Sequence, residues 1–134
     1  MKALLGHAPA VRVFGNDFPT VDGTGVRDYI HVEDLATAHV AALDHLSRGG
    51  RNLTCNVGTG FGTSVMQIIE ATQRVSGKKV PYEITERRLG DPAACYADAS
   101  LINKELGWSP TKSLDDIIAT AYAWHQSHPH GHDS

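Results

Sequence analysis

Residues 25–35, Gly-Val-Arg-Asp-Tyr-Ile-His-Val-Glu-Asp-Leu, limit what this chain can fold into more than any other segment. Their apolar, β-type composition predicts extended backbone over 28–32. Arg27 and Tyr29 lie two positions apart, and at that spacing both side chains leave the same face of a strand. Such a face could bind an anion and a planar group together. The ordinary alternative for Tyr29 is a half-buried strand residue.

A second basic element, Arg-Arg-Leu-Gly-Asp, ends at Asp91. Two separated arginines with polar partners fit a diphosphate better than a single carboxylate, because guanidinium groups bind phosphate oxygens in pairs and keep their charge. The alternative is that each arginine forms an ion pair with a nearby aspartate, Asp28 or Asp34 for Arg27 and Asp91 for Arg88.

The composition fits one ordinary soluble globular domain, with 134 residues, 41% hydrophobic residues and a formal charge of −3. That charge gives no electrostatic footprint for nucleic acid or an anionic membrane. No apolar run approaches the roughly 20 residues of a membrane helix, and the amino terminus turns polar too soon for a signal peptide. Cys55 and Cys95 lie far apart without metal-ligand spacing, which favours reduced thiols in the cytoplasm over a disulfide.

Hydrophobic periodicity predicts an α/β chain with about three short strands and four helices. Besides the extended segment, strands are predicted over 12–14, 53–57 and 82–85. Capping residues and glycines predict where the helices begin and end. The first helix is capped by Asp34 and ends at Gly49, and the second is capped by Thr63 or Ser64 and ends at Gly77. The third covers 101–106 and ends at Gly107, and the fourth is capped by Ser113.

Residues 1–10 are predicted to be the remainder of an upstream element, 11–128 one domain, and 129–134 a flexible tail. Four histidines crowd the end of the chain, at His125, His128, His130 and His132. They could bind zinc or nickel adventitiously, but without an accompanying acid or cysteine they predict a polar, mobile tail from His125 onward.

Several ordered segments resemble UDP-glucose 4-epimerases, members of the extended short-chain dehydrogenase/reductase superfamily. They are Val-Phe-Gly-Asn-Asp-Phe-Pro-Thr at 13–20, Asp-Gly-Thr-Gly-Val-Arg-Asp-Tyr-Ile-His-Val at 22–32, Asn-Val-Gly-Thr-Gly at 56–60, Arg-Arg-Leu-Gly-Asp at 87–91, Ala-Asp-Ala at 97–99 and Leu-Gly-Trp at 106–108. The segment 22–32 alone would mark only the wider group of nucleotide-sugar epimerases and dehydratases. The segment 13–20 narrows the resemblance to the 4-epimerases.

The resemblance implies a fold, a reaction and a cofactor. The chain is expected to be the small carboxyl-terminal substrate-binding domain of such an enzyme, lacking the Rossmann half. In the family that half binds NAD and carries the catalytic serine and a Tyr-x-x-x-Lys pair, and no tyrosine of this chain has a lysine four residues later. The family interconverts UDP-glucose and UDP-galactose in galactose metabolism. This chain is therefore expected to be a fragment that is inactive alone.

The resemblance also assigns roles to individual residues. It implies that Arg27 and Arg88 bind the diphosphate, that Tyr29 donates a hydrogen bond beside it, that Asp91 accepts one from a ribose hydroxyl, and that Phe14 and Val65 line the uracil pocket. Ordinary core packing is the alternative for the last two. Arg87 has no implied role and is predicted to be solvated, whereas His31 is predicted to orient the turn into the first helix.

Cys95 corresponds to a position that borders the hexose in the family and is often tyrosine in members confined to glucose and galactose. The smaller cysteine predicts a parent enzyme that also accepts UDP-N-acetylhexosamines, and the alternative is a small buried thiol without such a role. The glycine-rich loop at 58–64 follows a predicted strand and precedes a helix, but its G-x-G-x-G spacing departs from the dinucleotide fingerprint, so NAD is not expected there.

Two further functions remain open from the residues: a stand-alone UDP-binding or interaction module, and an inactive truncation product. A related nucleotide-sugar epimerase or dehydratase is a third, which the segment 13–20 disfavours. Each predicted helix has an apolar face that needs cover. The isolated chain is therefore expected to be marginally stable, or to self-associate through such a face.

Overall fold

The computed structural model describes residues 1–129 and 131 as a small α/β chain with four helices and five short strands. The strands are β1 (Val11–Phe14), β2 (Val26–Arg27), β3 (Thr63–Ser64), β4 (Tyr82–Thr85) and β5 (Ala94–Cys95). The helices are α1 (Val32–Ser47), α2 (Val65–Ser76), α3 (Ser100–Leu106) and α4 (Leu114–Ser127). The fold class and the four helices predicted from periodicity are confirmed.

Two small sheets divide the strands. In the first, β1 pairs in parallel with β4, and Val13 lies opposite Ile84. In the second, β2 is the central strand, antiparallel to β3 and parallel to β5. The strand over 82–85 was predictable because apolar and polar residues alternate in it, and the strand over 12–14 because Val13 and Phe14 favour strands. The two-residue strands of the second sheet are too short to show a period.

The second and fourth helices begin as their sequences predict. Ser64 accepts a hydrogen bond from the Gln67 backbone while the Gln67 side chain bonds the Ser64 N–H, and Ser113 forms the same reciprocal box with Asp116. Gly77, with a φ of 66°, ends α2 in the left-handed conformation that glycine adopts without strain.

The start of α1 differs from the prediction. The helix begins at Val32, and its N-cap is His31, whose Nδ1 accepts from the Glu33 N–H at 3.0 Å. The predicted role of His31 at this turn is confirmed, and its Nε2 lies 2.8 Å from Thr120 Oγ1 on α4. The predicted cap, Asp34, is instead buried in the first turn, because its carboxylate binds the loop that precedes α4.

The extended segment is also shorter than predicted. Strand pairing covers only β2, the backbone of 28–31 forms no strand, and Val32 already belongs to α1. The predicted strand over 53–57 is wrong. Cys55 and Val57 are partly buried and pack against a core cluster. A strand also needs a neighbouring strand to which its backbone can hydrogen-bond, and within the described residues no such strand pairs with 53–57.

Two hydrophobic clusters stabilise the described part of the chain. The first joins Val13, Ile69 and Val80 between β1 and α2, and Leu4 packs against it. The second joins Ala38, Ile102 and Trp108, and so attaches α1 to α3. The Trp108 indole N–H donates to Thr37 Oγ1 at 2.9 Å, which fixes the ring at the edge of this cluster.

The end of the chain is more ordered than predicted up to Ser127, because α4 includes His125. The predicted flexible tail falls largely outside the described residues, as do His130 and His132. Helix α1 exposes large apolar side chains, at Val32, Val40, Leu43 and Leu46. None of the described helices is long and apolar enough to span a membrane.

Candidate functional site

Arg27 lies in the middle of the second sheet. Its Cα is in register with Thr63 on β3 and with Cys95 on β5, so both neighbouring strands position it. Its Nη1 donates to the Val26 carbonyl at 2.7 Å. Among the described residues Arg27 forms no ion pair with Asp28 or Asp34, whose carboxylates accept from backbone groups and hydroxyls instead.

Tyr29 is half-buried two residues further along. Burial raises the pKa of its phenol, and the nearby positive charge of Arg27 offsets part of that rise. The phenol therefore stays protonated at neutral pH and is a hydrogen-bond donor beside the guanidinium.

Arg88, Asp91 and Phe14 form a second group after β4. Arg88 Nε donates to Asp91 Oδ2 at 2.9 Å, and its guanidinium lies 4.6 Å from the centre of the Phe14 ring. The predicted surface ion pair is therefore present. Since Arg88 is 61% exposed, such a pair contributes about 0–1 kcal/mol, and a ligand anion can compete for the guanidinium at little energetic cost.

Arg87 is exposed, as the sequence predicts, but it also forms contacts that the sequence does not indicate. Its Nε donates to Asp17 Oδ1 at 2.5 Å, and its guanidinium lies 4.0 Å from the centre of the Phe18 ring. A second nitrogen of the group donates to the Asp17 carbonyl. These contacts hold the loop after β1 against the segment after β4. The neighbouring Asp17 and Phe18 of the 13–20 segment are the sequence signal from which these contacts of Arg87 could have been predicted.

The segment between β4 and β5 relates the two arginine groups, because Arg88 lies within it and β5 pairs with the strand that holds Arg27. The Val26 N–H donates to the Ala93 carbonyl at 2.9 Å, which brings the start of β5 against β2. Asp91 is only two residues before Ala93, so their Cα atoms are at most about 7 Å apart. The structure thus places the Arg88 group next to the sheet that holds Arg27.

Val65 and Cys95 flank this sheet. The Val65 N–H donates to the Gly25 carbonyl at 3.1 Å, and its side chain packs against the Val13 cluster, so the predicted core role is observed. Cys95 is exposed and is a free thiol, as is the partly buried Cys55. The alternative prediction of a buried thiol at Cys95 is therefore wrong.

The glycine-rich loop surrounds the carboxylate of Asp28, for which the sequence predicts no role beyond an ion pair with Arg27. Asp28 accepts hydrogen bonds from the backbone of Thr59, Gly60 and Ala97. Burial disfavours its ionised form, but the hydrogen bonds from Thr59, Ala97 and Gly60 outweigh burial and hold the pKa of Asp28 below its usual range. In the strand that the sequence predicts, a carboxylate between Arg27 and Tyr29 would leave the opposite face, and that predicted alternation was the available signal.

The candidate residues form an open surface. They line none of five concavities of 400 to 860 Å³ found in the described part of the chain, one of which, of 640 Å³, lies between α1 and α4. Ligand pockets usually enclose most of a small molecule. Within residues 1–129 and 131, no group of three or more His, Cys, Asp or Glu side chains could hold a metal ion.

Known proteins identify the family. A family model described as GDP-mannose 4,6 dehydratase matches residues 1–121. A UDP-glucose 4-epimerase of Bifidobacterium longum is 48% identical over 130 residues, which are 97% of this chain and 38% of that protein.

Solved structures agree with this match. The UDP-glucose 4-epimerase of Stenotrophomonas maltophila, with bound NAD and formylated UDP-arabinopyranose, superposes with a TM-score of 0.93 at 47% identity, covering 96% of this chain and 38% of that one. The Bifidobacterium longum enzyme with NAD+ and UDP gives 0.90 at 46% identity, covering 98% and 39%.

The chain therefore spans about two fifths of the length of the relatives it matches. NAD is bound by these longer members of the family. Since the family model matches most of its residues, the chain belongs to the GDP-mannose 4,6-dehydratase family, within the extended short-chain dehydrogenase/reductases, and corresponds to a portion of a UDP-glucose 4-epimerase.

Proposed function

We propose that this chain is the UDP-sugar-binding portion of a UDP-glucose 4-epimerase that serves galactose metabolism in the cytoplasm. One observation supports it most directly: Arg88 lies in the short segment between β4 and β5, and Arg27 is in register with Cys95 on β5. Two permanent cations that approach from different elements suit a diphosphate better than a single carboxylate. Residues 11–128 form the proposed binding domain, and the rest of the enzyme supplies catalysis.

The proposed roles follow the nucleotide from its phosphates to its base. Arg27 and Arg88 bind the diphosphate, and the protonated Tyr29 phenol donates beside Arg27. When Arg88 turns from Asp91 to the ligand, the released carboxylate accepts from a ribose hydroxyl, which removes the apparent conflict of an acid next to a phosphate.

The uracil ring is proposed to lie near the end of β1. Phe14 is half-buried there, next to Val13, and the partly buried Val65 at the start of α2 packs against the cluster that contains Val13. An apolar slot at a strand end suits the face of a flat base. The cations of Arg88 and Arg12, 4.6 and 5.9 Å from the Phe14 ring centre, support a place for this ring at the ligand surface.

The separation of nucleotide binding from catalysis suits epimerisation at one carbon of the hexose. The hexose must present both faces to the same catalytic groups, so the nucleotide must be held tightly while the sugar moves. Binding energy from the remote, unreactive nucleotide supports the reaction without restraining the hexose.

The described residues do not fit NAD. The amide groups of Thr59 and Gly60, in the one glycine-rich loop that precedes a helix, bind the carboxylate of Asp28 and are not available to a pyrophosphate. We therefore assign NAD binding, with the hydride transfer it supplies, to the part of the enzyme outside this chain. The open site surface supports the same division, because a second surface is needed to enclose the ligand.

We further propose that Cys95 faces the hexose and leaves room for an N-acetyl group. Its exposure and its register with Arg27 support this position. In the complete enzyme, Cys95→Tyr should abolish activity with UDP-N-acetylhexosamines and spare UDP-galactose. Equal loss of both activities would refute this specificity role.

Calorimetric titration of UDP tests the binding function. The wild-type chain is expected to bind saturably, and Arg27→Ala/Arg88→Ala is expected to lose binding. Arg48→Ala is the control for the loss of one exposed positive charge, because Arg48 is 81% exposed at the end of α1. A folded wild-type chain that does not bind UDP, or a double variant that binds as tightly as Arg48→Ala, would contradict the proposal.

A further inference from the structure

The second sheet is too short to hold its own register. Its strands β2, β3 and β5 contain two residues each. Strands in globular proteins usually have three to ten residues, and register is set by the ladder and by the burial pattern along it. Arg27 lies on the central strand of this minimal sheet, so something else must fix its position.

The carboxylate of Asp28 supplies the missing constraint. Its Oδ1 accepts from the Thr59 N–H at 2.9 Å and from the Thr59 hydroxyl at 2.5 Å. Its Oδ2 accepts from the Gly60 N–H at 3.1 Å and the Ala97 N–H at 3.2 Å. These donors come from two segments that are distant in the chain, and charge-assisted hydrogen bonds of this kind are roughly twice as strong as neutral ones.

Each donor segment continues into, or follows, a strand that touches Arg27. Thr59 and Gly60 precede β3, whose Thr63 is in register with Arg27. Ala97 follows β5, whose Cys95 is in register with Arg27 on the other side. One side chain thus ties all three strands together at the end of the sheet where Arg27 lies.

Gly58 shows how closely the loop approaches this carboxylate. A β-carbon at this position would lie 2.5 Å from Asp28 Oδ2 and 2.7 Å from the Ala97 Cβ. Both distances are too short for non-bonded heavy atoms. The approach of the loop to Asp28 therefore requires a residue without a side chain.

We infer that Asp28 is a positioning residue of the UDP-sugar site, which acts through Arg27 by fixing β3 and β5 on either side of it. The inference rests on the proposed function and extends it to a residue that need not touch the ligand. By the same contacts Asp28 sets the distance between Arg27, at the diphosphate, and Cys95, at the hexose.

A double-mutant cycle on UDP affinity tests this role. Asp28→Ala should raise the Kd for UDP about tenfold in the wild-type background, the effect of losing about 1.4 kcal/mol of binding free energy. In an Arg27→Ala background the same change should have almost no effect, because the residue through which Asp28 acts is gone. Equal effects in the two backgrounds, or none in either, would overturn the inference.

Two variants separate positioning from folding. Asp116→Asn is the control, since Asp116 also accepts from a backbone N–H and a hydroxyl, in the α4 capping box, and its loss should leave the Kd unchanged. Thr59→Val removes one donor and keeps the carboxylate, so it should raise the Kd by about threefold even if Asp28→Ala fails to fold. A folded Thr59→Val chain with wild-type affinity would count against the role of Asp28.

The same titrations distinguish this inference from the proposed function. If the folded wild-type chain does not bind UDP, the proposed function fails and the role of Asp28 fails with it. If Arg27→Ala weakens binding and folded Asp28→Ala does not, the proposed function stands and only the positioning role is refuted.

Discussion

Removing the buried carboxylate of Asp34 should destabilise the chain by about 3 kcal/mol. The side chain is 2% exposed and accepts from the Thr111 N–H at 3.1 Å, the Thr111 hydroxyl at 2.9 Å and the Lys112 N–H at 3.0 Å. Hydrogen bonds to a charged group contribute about 1.5–3 kcal/mol each, but water can reach the exposed Thr111 and Lys112 once the carboxylate is gone. The expected loss in Asp34→Ala is therefore nearer to that of one or two such bonds than of three.

The contribution of Asp34 to the free energy of unfolding should also decrease as the pH falls. Burial raises the pKa of Asp34, but the hydrogen bonds from Lys112 and Thr111, with the nearby His31, outweigh burial and lower it below its usual range. Its contribution is then complete above the pKa of the unfolded chain and disappears as pH falls through the folded pKa. The difference in stability between wild type and Asp34→Asn should accordingly shrink in acid.

Urea unfolding followed by tryptophan fluorescence measures both quantities. The buried Trp108 belongs to the cluster that attaches α1 to α3, so its fluorescence reports the unfolding of that cluster. Asp44→Asn, on the same helix, is the control, because Asp44 is 64% exposed, lies 3.8 Å from Arg48 and should contribute less than about 0.5 kcal/mol. The reasoning is refuted if Asp34→Ala lies within 1 kcal/mol of wild type at neutral pH, a threshold of about a third of the expected loss.

Three further changes test the fold around the site. Ile102→Ala, in the cluster that attaches α3 to α1, should lower the free energy of unfolding by about 2–5 kcal/mol by leaving a cavity, whereas Leu101→Ala on the exposed side of α3 should have a much smaller effect in the same urea assay. Ser113→Ala should lower it by about 0.5–2 kcal/mol through loss of the α4 cap, and a matched Ser113→Thr chain that is equally unstable would contradict this cause. Gly23→Ala should lower the melting temperature, because Gly23 has a φ of 79° and an added β-carbon would collide with the Asn16 carbonyl; an unchanged melting temperature would show that the loop can rearrange freely.

The sequence predicts best where local chemistry alone decides the structure. The caps at Ser64 and Ser113 and the stop at Gly77 depend on side chains within a few residues of each helix end, and all three are confirmed. The strand β4 alternates over four residues, and β1 contains Val13 and Phe14, which favour strands, so both were likewise predictable.

The failures share one physical cause, which is dependence on distant partners. Asp34 has the right position for a cap, but the loop at Thr111 and Lys112 requires its carboxylate inside the fold. The segment 53–57 has strand composition, but strand formation needs a neighbouring ladder that local sequence cannot supply.

The same cause limits prediction of the site. Motifs pointed to Arg27 and Arg88, and the structure places their segments next to one another. The sequence indicates Asp28 only as a possible ion-pair partner of Arg27, because the groups that it binds at Thr59 and Ala97 lie 31 and 69 residues away. Its role is visible only once the fold has assembled them.

The most direct test of the central claim is a map of amide chemical-shift changes in the isotopically labelled chain as UDP is added. The largest changes are predicted at Arg27, at Arg88 and at Cys95, because Cys95 is in register with Arg27 and the segment that contains Arg88 leads into β5. Changes confined to the groove between α1 and α4, around Thr120 and Trp124, would contradict the account, as would a folded chain whose spectrum does not respond to UDP.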